Sequence, residues 1–536
     1  MKRLFSLAAV ALLAGATAGA ETPVTEQPAG KLEKYHGTSR ASYIFMMIAP
    51  LTEPHDGVCR EVVFDDNGKD VWFKDPLTHM PTGAWINGKL EDGVITVETP
   101  QLIDRSVNAE SGEVHDWHVQ RLKKVQIPKE DGEGFTTDWV PDTEKTSIRY
   151  RLSGDSIIQE KEQDIMLGLV QDGEYYFYGE QEAVYAKVKG VAAKIPEGTT
   201  AERWSFFYNN DLYAHQAEVY VDGDDFYLRG FWPEFPDACV KGTINGDRMV
   251  MPSGQYLGLM KDSGVSYYTY FMSGVEDEES WTQSYISSGK DMEFAYDKDA
   301  KTVSPLFGSD LAPLVRYGKT AGISGDCLIS FAGMRMKHLD HIAGLSPAEI
   351  KGWRIEKEYG WGSLEFVFRA MDSEGNALDP DRLSYSLWTD SEKYVFDKED
   401  AIYPEAYEGI DEPTDEIPYL FDNDYGFSSV GSIANRKVSF YKLGFKEIGV
   451  QFYYDDDISG KLIKSKIAYV NPETGEKRVA DEPSGIGSVD EDASMVESVV
   501  RYDLNGNRVA DAFKGVVVEQ TRYADGHVKT SKKIIR

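Results

Sequence analysis

A stretch of about forty residues near the start of the chain recurs roughly 150 residues later, and this repeat constrains the fold more than any other feature. With three gapped positions, the segments 61–103 and 218–257 share nine residues, and their hydrophobic alternation matches. The shared pairs are Glu61/Glu218, Val62/Val219, Asp65/Asp222, Gly68/Gly223, Asp70/Asp225, Pro81/Pro236, Ala84/Ala238, Gly88/Gly242 and Gln101/Gln255. The simplest explanation is two copies of one module, at 39–198 and 199–333.

Within each copy, apolar and polar residues alternate with the period of a β-strand. The runs 71–74 and 226–229 are rich in β-branched and aromatic residues, and turn residues bound them. Asn67-Gly68 is typical of a hairpin turn, because both residues tolerate the positive φ that such turns need. Since a lone meander leaves its edges exposed, we expect each module to be an antiparallel meander that closes into a barrel or a sandwich.

The pattern changes beyond the second module. A capping box at 346–349, with proline at the first helical position, predicts that one short helix starts there. Alternating runs every 8–15 residues then predict an immunoglobulin-like or fibronectin-like β-sandwich at 334–480. An acidic linker at 481–495 and a small β domain at 496–536 follow, so the chain is expected to be all-β.

The N-terminal segment predicts export. Residues 1–20 combine a basic start, an uncharged apolar stretch and small residues before Glu21, which is the pattern of a secretory signal peptide, and 21–38 is expected to be a linker. The expected location is extracellular or the outer cell surface, with the periplasm as the alternative. The three cysteines, Cys59, Cys239 and Cys327, permit at most one disulfide bond, so core packing must hold the domains together.

The charge excludes some partners. The chain carries 57 basic and 90 acidic side chains, a formal net charge of −33. Nucleic acids and anionic bilayers are bound through cationic patches, so neither is an expected partner. After the N-terminal segment, no run of about 18 apolar residues follows that would predict a transmembrane helix.

The last forty residues depart from this acidity, with eight basic and five acidic side chains. They resemble the C-terminal sorting domain of Bacteroidetes type IX (Por) secretion substrates. The matching positions are Tyr502, Asp503, Leu504, Gly506, Arg508 and Gly515. The resemblance implies recognition by that secretion machinery. The remainder of the chain is similar to secreted β-rich proteins of gut and oral Bacteroidales, which implies a compartment but no chemistry.

An acidic turn offers candidate metal ligands. Asp222, Asp224 and Asp225 supply hard oxygen atoms of the kind that calcium prefers. Aspartate is equally typical of solvated hairpin turns, and no EF-hand spacing is completed. No other cofactor is expected.

Aromatic residues make up 12% of the chain, and they suggest a ligand. Trp353, Tyr359 and Trp361 lie in a glycine-punctuated stretch and are candidates for stacking on sugar rings, with strand packing as the alternative. No nucleophile elbow or zinc-protease helix motif occurs. The sequence therefore favours a non-enzymatic binding or adhesion protein for a glycan or a protein, and an extracellular carbohydrate-active hydrolase is the alternative.

Overall fold

A computed structural model gives the fold of the chain. It describes residues 22–45, 49–109, 111–129, 133–188, 190–276, 285–319, 327–356, 358, 361–401, 404–407, 410–419, 428–430, 433–440, 445–482, 496–502, 508–509, 515–523 and 528–535. Within these ranges the chain forms antiparallel β-sheets and no α-helix, which confirms the all-β prediction. The helical turns are short 3-10 segments at Pro380–Arg382, Lys398–Asp400 and Pro404–Tyr407.

The first module is a closed eight-stranded barrel with a flanking sheet. Its strands are β1 (Lys31–Phe45), β2 (Ala49–Phe64), β3 (Asp70–Lys74), β4 (Trp85–Glu91), β5 (Val94–Glu98), β6 (Gln101–Val107), β7 (Val114–Pro128), β8 (Phe135–Pro141), β9 (Ser147–Ser153), β10 (Ser156–Gln159), β11 (Ile165–Gln171) and β12 (Glu174–Ala186). Barrel 1 runs β1-β2-β3-β4-β5-β9-β10-β12 and closes where β12 pairs with β1. The alternation of the strands places their apolar side chains in one core inside this barrel.

The second module repeats this connectivity. Its strands are β13 (Glu202–Tyr208), β14 (Tyr213–Asp222), β15 (Asp225–Arg229), β16 (Cys239–Asn245), β17 (Arg248–Met251), β18 (Gln255–Asp262), β19 (Val265–Glu276), β20 (Tyr285–Ser287), β21 (Met292–Asp297), β22 (Thr302–Pro305), β23 (Leu311–Tyr317), β24 (Cys327–Ser330) and β25 (Arg335–His338). Barrel 2 closes in the order β13-β14-β15-β16-β17-β21-β22-β25. Both modules are therefore barrels and not sandwiches, the two alternatives that the sequence left open.

Shared residues make the same contacts in the two barrels. Gln101 bonds through its side-chain amide to the backbone N–H and C=O of Asn87, at 2.7 and 2.8 Å. Gln255 does the same with Lys241, at 2.7 and 2.9 Å. Gly88 and Gly242 are also equivalent, because the neighbouring strand leaves no room for a Cβ atom at either position. A Cβ would lie 2.7 Å from a side-chain carbon at Gly88 and 3.1 Å from one at Gly242.

The flanking sheets differ in polarity although their strands correspond. In module 2, Tyr268 and Tyr270 on β19 pack against barrel 1, with ring centroids 5.6 and 6.0 Å from that of His36 on β1. The strand registers place Asp116 and His118 of β7 at the corresponding positions of module 1. The apolar face of β19 thus packs against barrel 1. The polar face of β7 is compatible with contact with water and needs no such partner.

A two-sheet sandwich follows barrel 2. Its strands are β26 (Glu349–Glu356), β27 (Trp361–Arg369), β28 (Leu383–Thr389), β29 (Glu392–Lys393), β30 (Ile417–Pro418), β31 (Ser428–Val430), β32 (Ile433–Phe440), β33 (Ile448–Asp456), β34 (Lys461–Lys464), β35 (Ile467–Val470) and β36 (Lys477–Ala480). The sheets run β26-β27-β32-β31 and β29-β28-β33-β35-β36. This is the ABED and CFG arrangement of an immunoglobulin constant-type sandwich, with β29 and β36 added at the edges. The sheets meet where Phe368 stacks on Phe452, with ring centroids 3.9 Å apart.

Three local expectations differ from the structure. Residues 346–348 are irregular and Glu349 begins β26, so the short helix predicted at 346–349 is wrong. The capping pattern is overridden because the apolar side chains of Ala348 and Ile350 enter the sandwich core. The predicted linker at 21–38 is too long, because strand β1 begins at Lys31. The predicted end of the second module at residue 333 is too early, because β25 closes barrel 2 beyond it.

The C-terminal residues form a sheet of their own, as expected. Its strands are β37 (Val496–Tyr502), β38 (Arg508–Val509), β39 (Gly515–Tyr523) and β40 (Val528–Ile535), in the order β38-β37-β39-β40. The segment predicted as the signal peptide, 1–20, lies outside the described residues, as does most of the predicted acidic linker, 481–495.

Histidines packed among aromatic rings make barrel stability depend on pH. The His79 ring lies 4.2 Å from that of Tyr43, and the His215 ring lies 5.1 Å from that of Phe206. Burial lowers the pKa of each histidine to about 4, against an ordinary 6.5. Between these values the unfolded chain binds protons that the folded chain does not, so stability falls as the pH decreases from 6.5 towards 4.

We therefore expect the denaturant midpoint to fall between about pH 7 and about pH 5, and to fall less in the variant His215→Phe. Carboxylates act in a lower range: Glu33, whose pKa is lowered to about 2, contributes stability that is lost only below its ordinary 4.5. Urea titrations at both pH values, followed by hydrogen exchange at the amides of β14, which carries His215, test this, because the domains do not unfold in one step. Equal midpoints in the wild-type protein would contradict the assignment.

Candidate functional site

Module 1 contains an open groove of about 610 Å³, a volume in the range of ligand sites. It lies between the flanking sheet and the wall of barrel 1. We call it the Trp139 groove, and its lining residues are Lys124, Trp139, Ile148, Arg149, Gln159, Glu160, Lys161, Glu162, Gln163, Asp164, Ile165, Gln181 and Glu182. One aromatic ring therefore faces a lining of amides and charged groups.

The aromatic wall is Trp139, on the edge strand β8. Its indole is half-buried and packs against a small apolar cluster that includes Leu122 and Met166 of the flanking sheet. The Lys124 ammonium lies 5.9 Å from the ring centroid. A tryptophan held in this way presents a rigid apolar surface with little conformational freedom to lose when a ligand binds.

Arg121 holds the opposite wall. Its side chain is only 2% exposed and donates two hydrogen bonds to Glu162, at 2.7 and 2.8 Å, and one to Asp142 at 3.1 Å. The Arg121 guanidinium thereby holds the pKa of the Glu162 carboxyl below its usual range. This bidentate contact fixes the loop between β10 and β11 against the flanking sheet.

Two of the other three acidic side chains of the groove are also paired. Glu160 lies 3.3 Å from Arg149, and Glu182 lies 3.2 Å from Lys161. A glycosidase needs a carboxylic acid with a raised pKa beside a second carboxylate. In this groove the Glu162 carboxyl is shifted in the opposite direction, since the Arg121 guanidinium holds its pKa below the usual range.

Two residues on the groove wall have unusual backbone conformations. Asp164 has φ 56° and Glu182 has φ 53°, backbone values that residues other than glycine rarely adopt. The register between β1 and β12 also shifts near Glu182. Eleven further non-glycine residues in the described part of the chain share this conformation, so it describes the course of the groove wall and does not mark a ligand site.

A second aromatic surface lies at the β11–β12 hairpin. Tyr176 and Phe177 are each 42% exposed, and the Trp117 ring meets Tyr176 edge-on with centroids 4.7 Å apart. The Arg105–Asp116 ion pair lies on the neighbouring strand positions, with Nη2 and Oδ2 2.7 Å apart.

The aromatic residues that the sequence singled out are not brought together into a described site. Trp353 lies on β26, half-buried, and its indole N–H donates to the Pro472 carbonyl at 3.1 Å. Trp361 is the first residue of β27, where only its backbone is described, and Tyr359 lies outside the described residues. Trp353 therefore acts as a packing residue of the sandwich.

The aspartates proposed for calcium lie at the β14–β15 turn. Asp222 and Asp225 pair across its base, and Asp224 lies between them beside Gly223. Lys241 forms an ion pair with Asp225 at 2.7 Å. Within the described parts of the chain, no three histidine, cysteine, aspartate or glutamate side chains are placed to hold a metal ion.

The sorting-like positions are described only in part. Tyr502 ends β37, Arg508 begins β38 and Gly515 begins β39, so they belong to one sheet. Asp503, Leu504 and Gly506 lie outside the described residues.

Sequence reasoning missed Trp139, and a signal for it exists. The residue follows Thr136, Thr137 and Asp138, a polar run that is typical of an exposed edge strand, so an isolated tryptophan there is out of place. The sequence could not predict that Gln181 and Glu182, some forty residues later, line the same groove as Trp139.

No family model matches the chain, and no curated protein does. In the described part of the chain, no helix has the length and apolar character needed to cross a membrane.

Proposed function

We propose that the protein is an exported, non-enzymatic binding protein whose ligand is a neutral glycan held in the Trp139 groove. The observation that carries this proposal is the combination of a rigid half-buried indole with three glutamines in one groove. Among the described residues, Gln159 keeps its Nε2 atom for a ligand, since its Oε1 atom accepts from the Ala183 N–H. Gln181 keeps its Oε1 atom, since its Nε2 atom donates to the Ile165 carbonyl. The third glutamine is Gln163. Sugar rings stack on aromatic faces through their apolar C–H groups, while their hydroxyls need amide and carboxylate partners.

The charge supports a neutral ligand. The lining of the groove contains four acidic residues, Glu160, Glu162, Asp164 and Glu182, and three basic ones, Lys124, Arg149 and Lys161. The whole chain carries −33. A sulfated or uronic-acid glycan would meet this negative field at long range, whereas an uncharged one would not.

The compartment is part of the same proposal. The N-terminal pattern of residues 1–20 supports export, and the likeness of the last forty residues to a type IX sorting domain supports delivery to the cell surface by that secretion machinery. An extracellular glycan is then an accessible ligand.

Binding and hydrolysis can be separated in one experiment. Full-length protein is screened against immobilised neutral and sulfated polysaccharides, and a reducing-sugar assay is run on each soluble polysaccharide. We expect retention on neutral polysaccharides and no release of sugar. Release of reducing ends would replace the proposal with a hydrolase, and retention only on sulfated chains would contradict the neutral-ligand assignment.

A further inference from the structure

A lysine, an asparagine and an aspartate lie in contact where barrel 2 meets the sandwich. The Lys337 ammonium on β25 donates to the Asn376 side-chain oxygen at 3.2 Å. The Asn376 amide nitrogen in turn donates to the Asp372 carboxylate at 2.8 Å. Asn376 is 2% exposed and Asp372 is 5% exposed, so the carboxamide lies almost entirely out of water.

The Asn376 side chain is held in place from the sandwich side. The Asp372 carboxylate accepts hydrogen bonds from the backbone N–H of Ala343 at 2.7 Å, Glu374 at 2.9 Å and Asn376 at 2.8 Å. The backbone N–H of Asp372 also donates to the Asn376 carbonyl at 2.9 Å. These bonds close the loop on itself and leave the carboxamide a single orientation.

The same loop is held from the barrel side. Ala377, the next residue, donates its N–H to the Ser205 hydroxyl at 3.0 Å, and its carbonyl accepts from the Gln216 amide at 2.9 Å. Its side chain forms an apolar cluster with Phe207 and Met371. Barrel and loop therefore form one packed contact that keeps Lys337 and Asn376 together.

This geometry brings a nucleophile to an electrophile. With a carbonyl bond of about 1.2 Å, the Lys337 nitrogen can be no more than about 4.4 Å from the Asn376 carboxamide carbon. Within the described parts of the chain, no carboxylate forms an ion pair with Lys337, and the Asn376 oxygen is its hydrogen-bond partner. Fixed proximity of this kind replaces a bimolecular encounter, an effect equivalent to very high reactant concentrations.

We propose that Lys337 and Asn376 become joined by an intramolecular amide bond. The Lys337 nitrogen, as the neutral amine, attacks the Asn376 carboxamide carbon and forms a C–N bond. The bond from that carbon to the side-chain nitrogen of Asn376 breaks, and this nitrogen leaves as ammonia. The attacking amine gives up a proton and the leaving nitrogen takes one up. The Asp372 carboxylate, which accepts a hydrogen bond from that nitrogen, relays the proton. No oxidant, reductant or further reactant is needed.

The bond would link two folding units covalently. It joins the last strand of barrel 2 to the loop before β28 of the sandwich, across 39 residues of chain. A force applied along the protein would then pass through a covalent bond at this junction instead of through hydrogen bonds alone. The proposal does not depend on what the Trp139 groove binds.

Intact-mass spectrometry of the full-length wild-type protein is the test, because loss of ammonia lowers the mass by about 17 Da. We expect that deficit, and a proteolytic digest should contain one branched peptide carrying both residues. The variants Lys337→Arg and Asn376→Ala should have their full calculated masses. Lys301→Arg, which removes a neighbouring lysine paired with Glu202 at 2.7 Å, should keep the deficit.

The wild-type measurement decides the matter even if a variant fails to fold. A wild-type mass equal to the calculated value after prolonged incubation would overturn the proposal. So would a gain of about 1 Da, which indicates hydrolysis of the Asn376 amide instead of attack by Lys337.

Discussion

Replacing Glu180 with alanine should destabilise barrel 1 by about 3–5 kcal/mol. Glu180 is 2% exposed and forms an ion pair with Arg60, which is 4% exposed, inside the barrel. Its second oxygen accepts from the Thr78 N–H at 2.9 Å and from the Thr78 hydroxyl at 3.0 Å. Burial alone would lower the pKa of Arg60, but the Glu180 charge more than offsets this and raises it. Without Glu180, the buried guanidinium charge would lose its ion-pair partner.

Native-state hydrogen exchange at the amides of β1–β3 measures this effect locally, which matters because a chain of several domains does not unfold in one step. The matched control is Glu218→Ala, followed at the amides of β13–β15 in barrel 2, where Glu218 lies. That carboxylate also pairs with an arginine, Arg229, but the two side chains are 44% and 38% exposed, so the loss should stay below about 1 kcal/mol. The double variant Arg60→Met/Glu180→Leu should recover most of the stability, since neither charge is then buried. Equal losses for the two single variants would contradict this account of the barrel interior.

Replacing Trp139 with alanine should lower the affinity for the retained polysaccharide at least tenfold, which corresponds to about 1.4 kcal/mol. The indole is the only aromatic ring in the lining of the groove, and aromatic anchors carry much of the energy of such contacts. Trp139→Phe should lie between the two, because a smaller ring keeps part of the stacking surface. Isothermal titration calorimetry with the full-length protein gives the three dissociation constants.

The control for this series is Trp353→Ala, a comparable half-buried tryptophan in the sandwich. It should leave the affinity unchanged, and circular dichroism should show that both variants keep their β content. A loss of affinity in Trp353→Ala with none in Trp139→Ala would move the site to the sandwich residues that the sequence suggested.

Much of the fold could be predicted because residues that match between the two copies of the repeat also make matching contacts in the two barrels. Gln101 and Gln255 match in sequence and make the same backbone hydrogen bonds. The closure of the barrels could not be predicted in this way, because pairing of β12 with β1 joins residues about 145 positions apart. The helix expected at 346–349 fails for a related reason, since burial of Ala348 and Ile350 outweighs the local capping signal.

The site was less accessible to sequence reasoning than the fold. An aromatic residue such as Trp353 looks the same in a sequence whether it packs against Pro472 or faces a ligand. The groove itself depends on strand register, which brings Trp139 of β8 near Gln181 of β12. Sequence alternation sets which face a side chain takes, but not which distant strand it meets.

The most direct test of the glycan-binding account is a crystal structure of the full-length protein with a bound neutral oligosaccharide taken from the screen. The account predicts a sugar ring stacked on the Trp139 indole at about 3.5–4.0 Å, with hydroxyls bonded to the amides of Gln159, Gln163 or Gln181. A sugar bound at Trp117 and Tyr176, or on the sandwich beside Trp353, with the groove left empty, would contradict it.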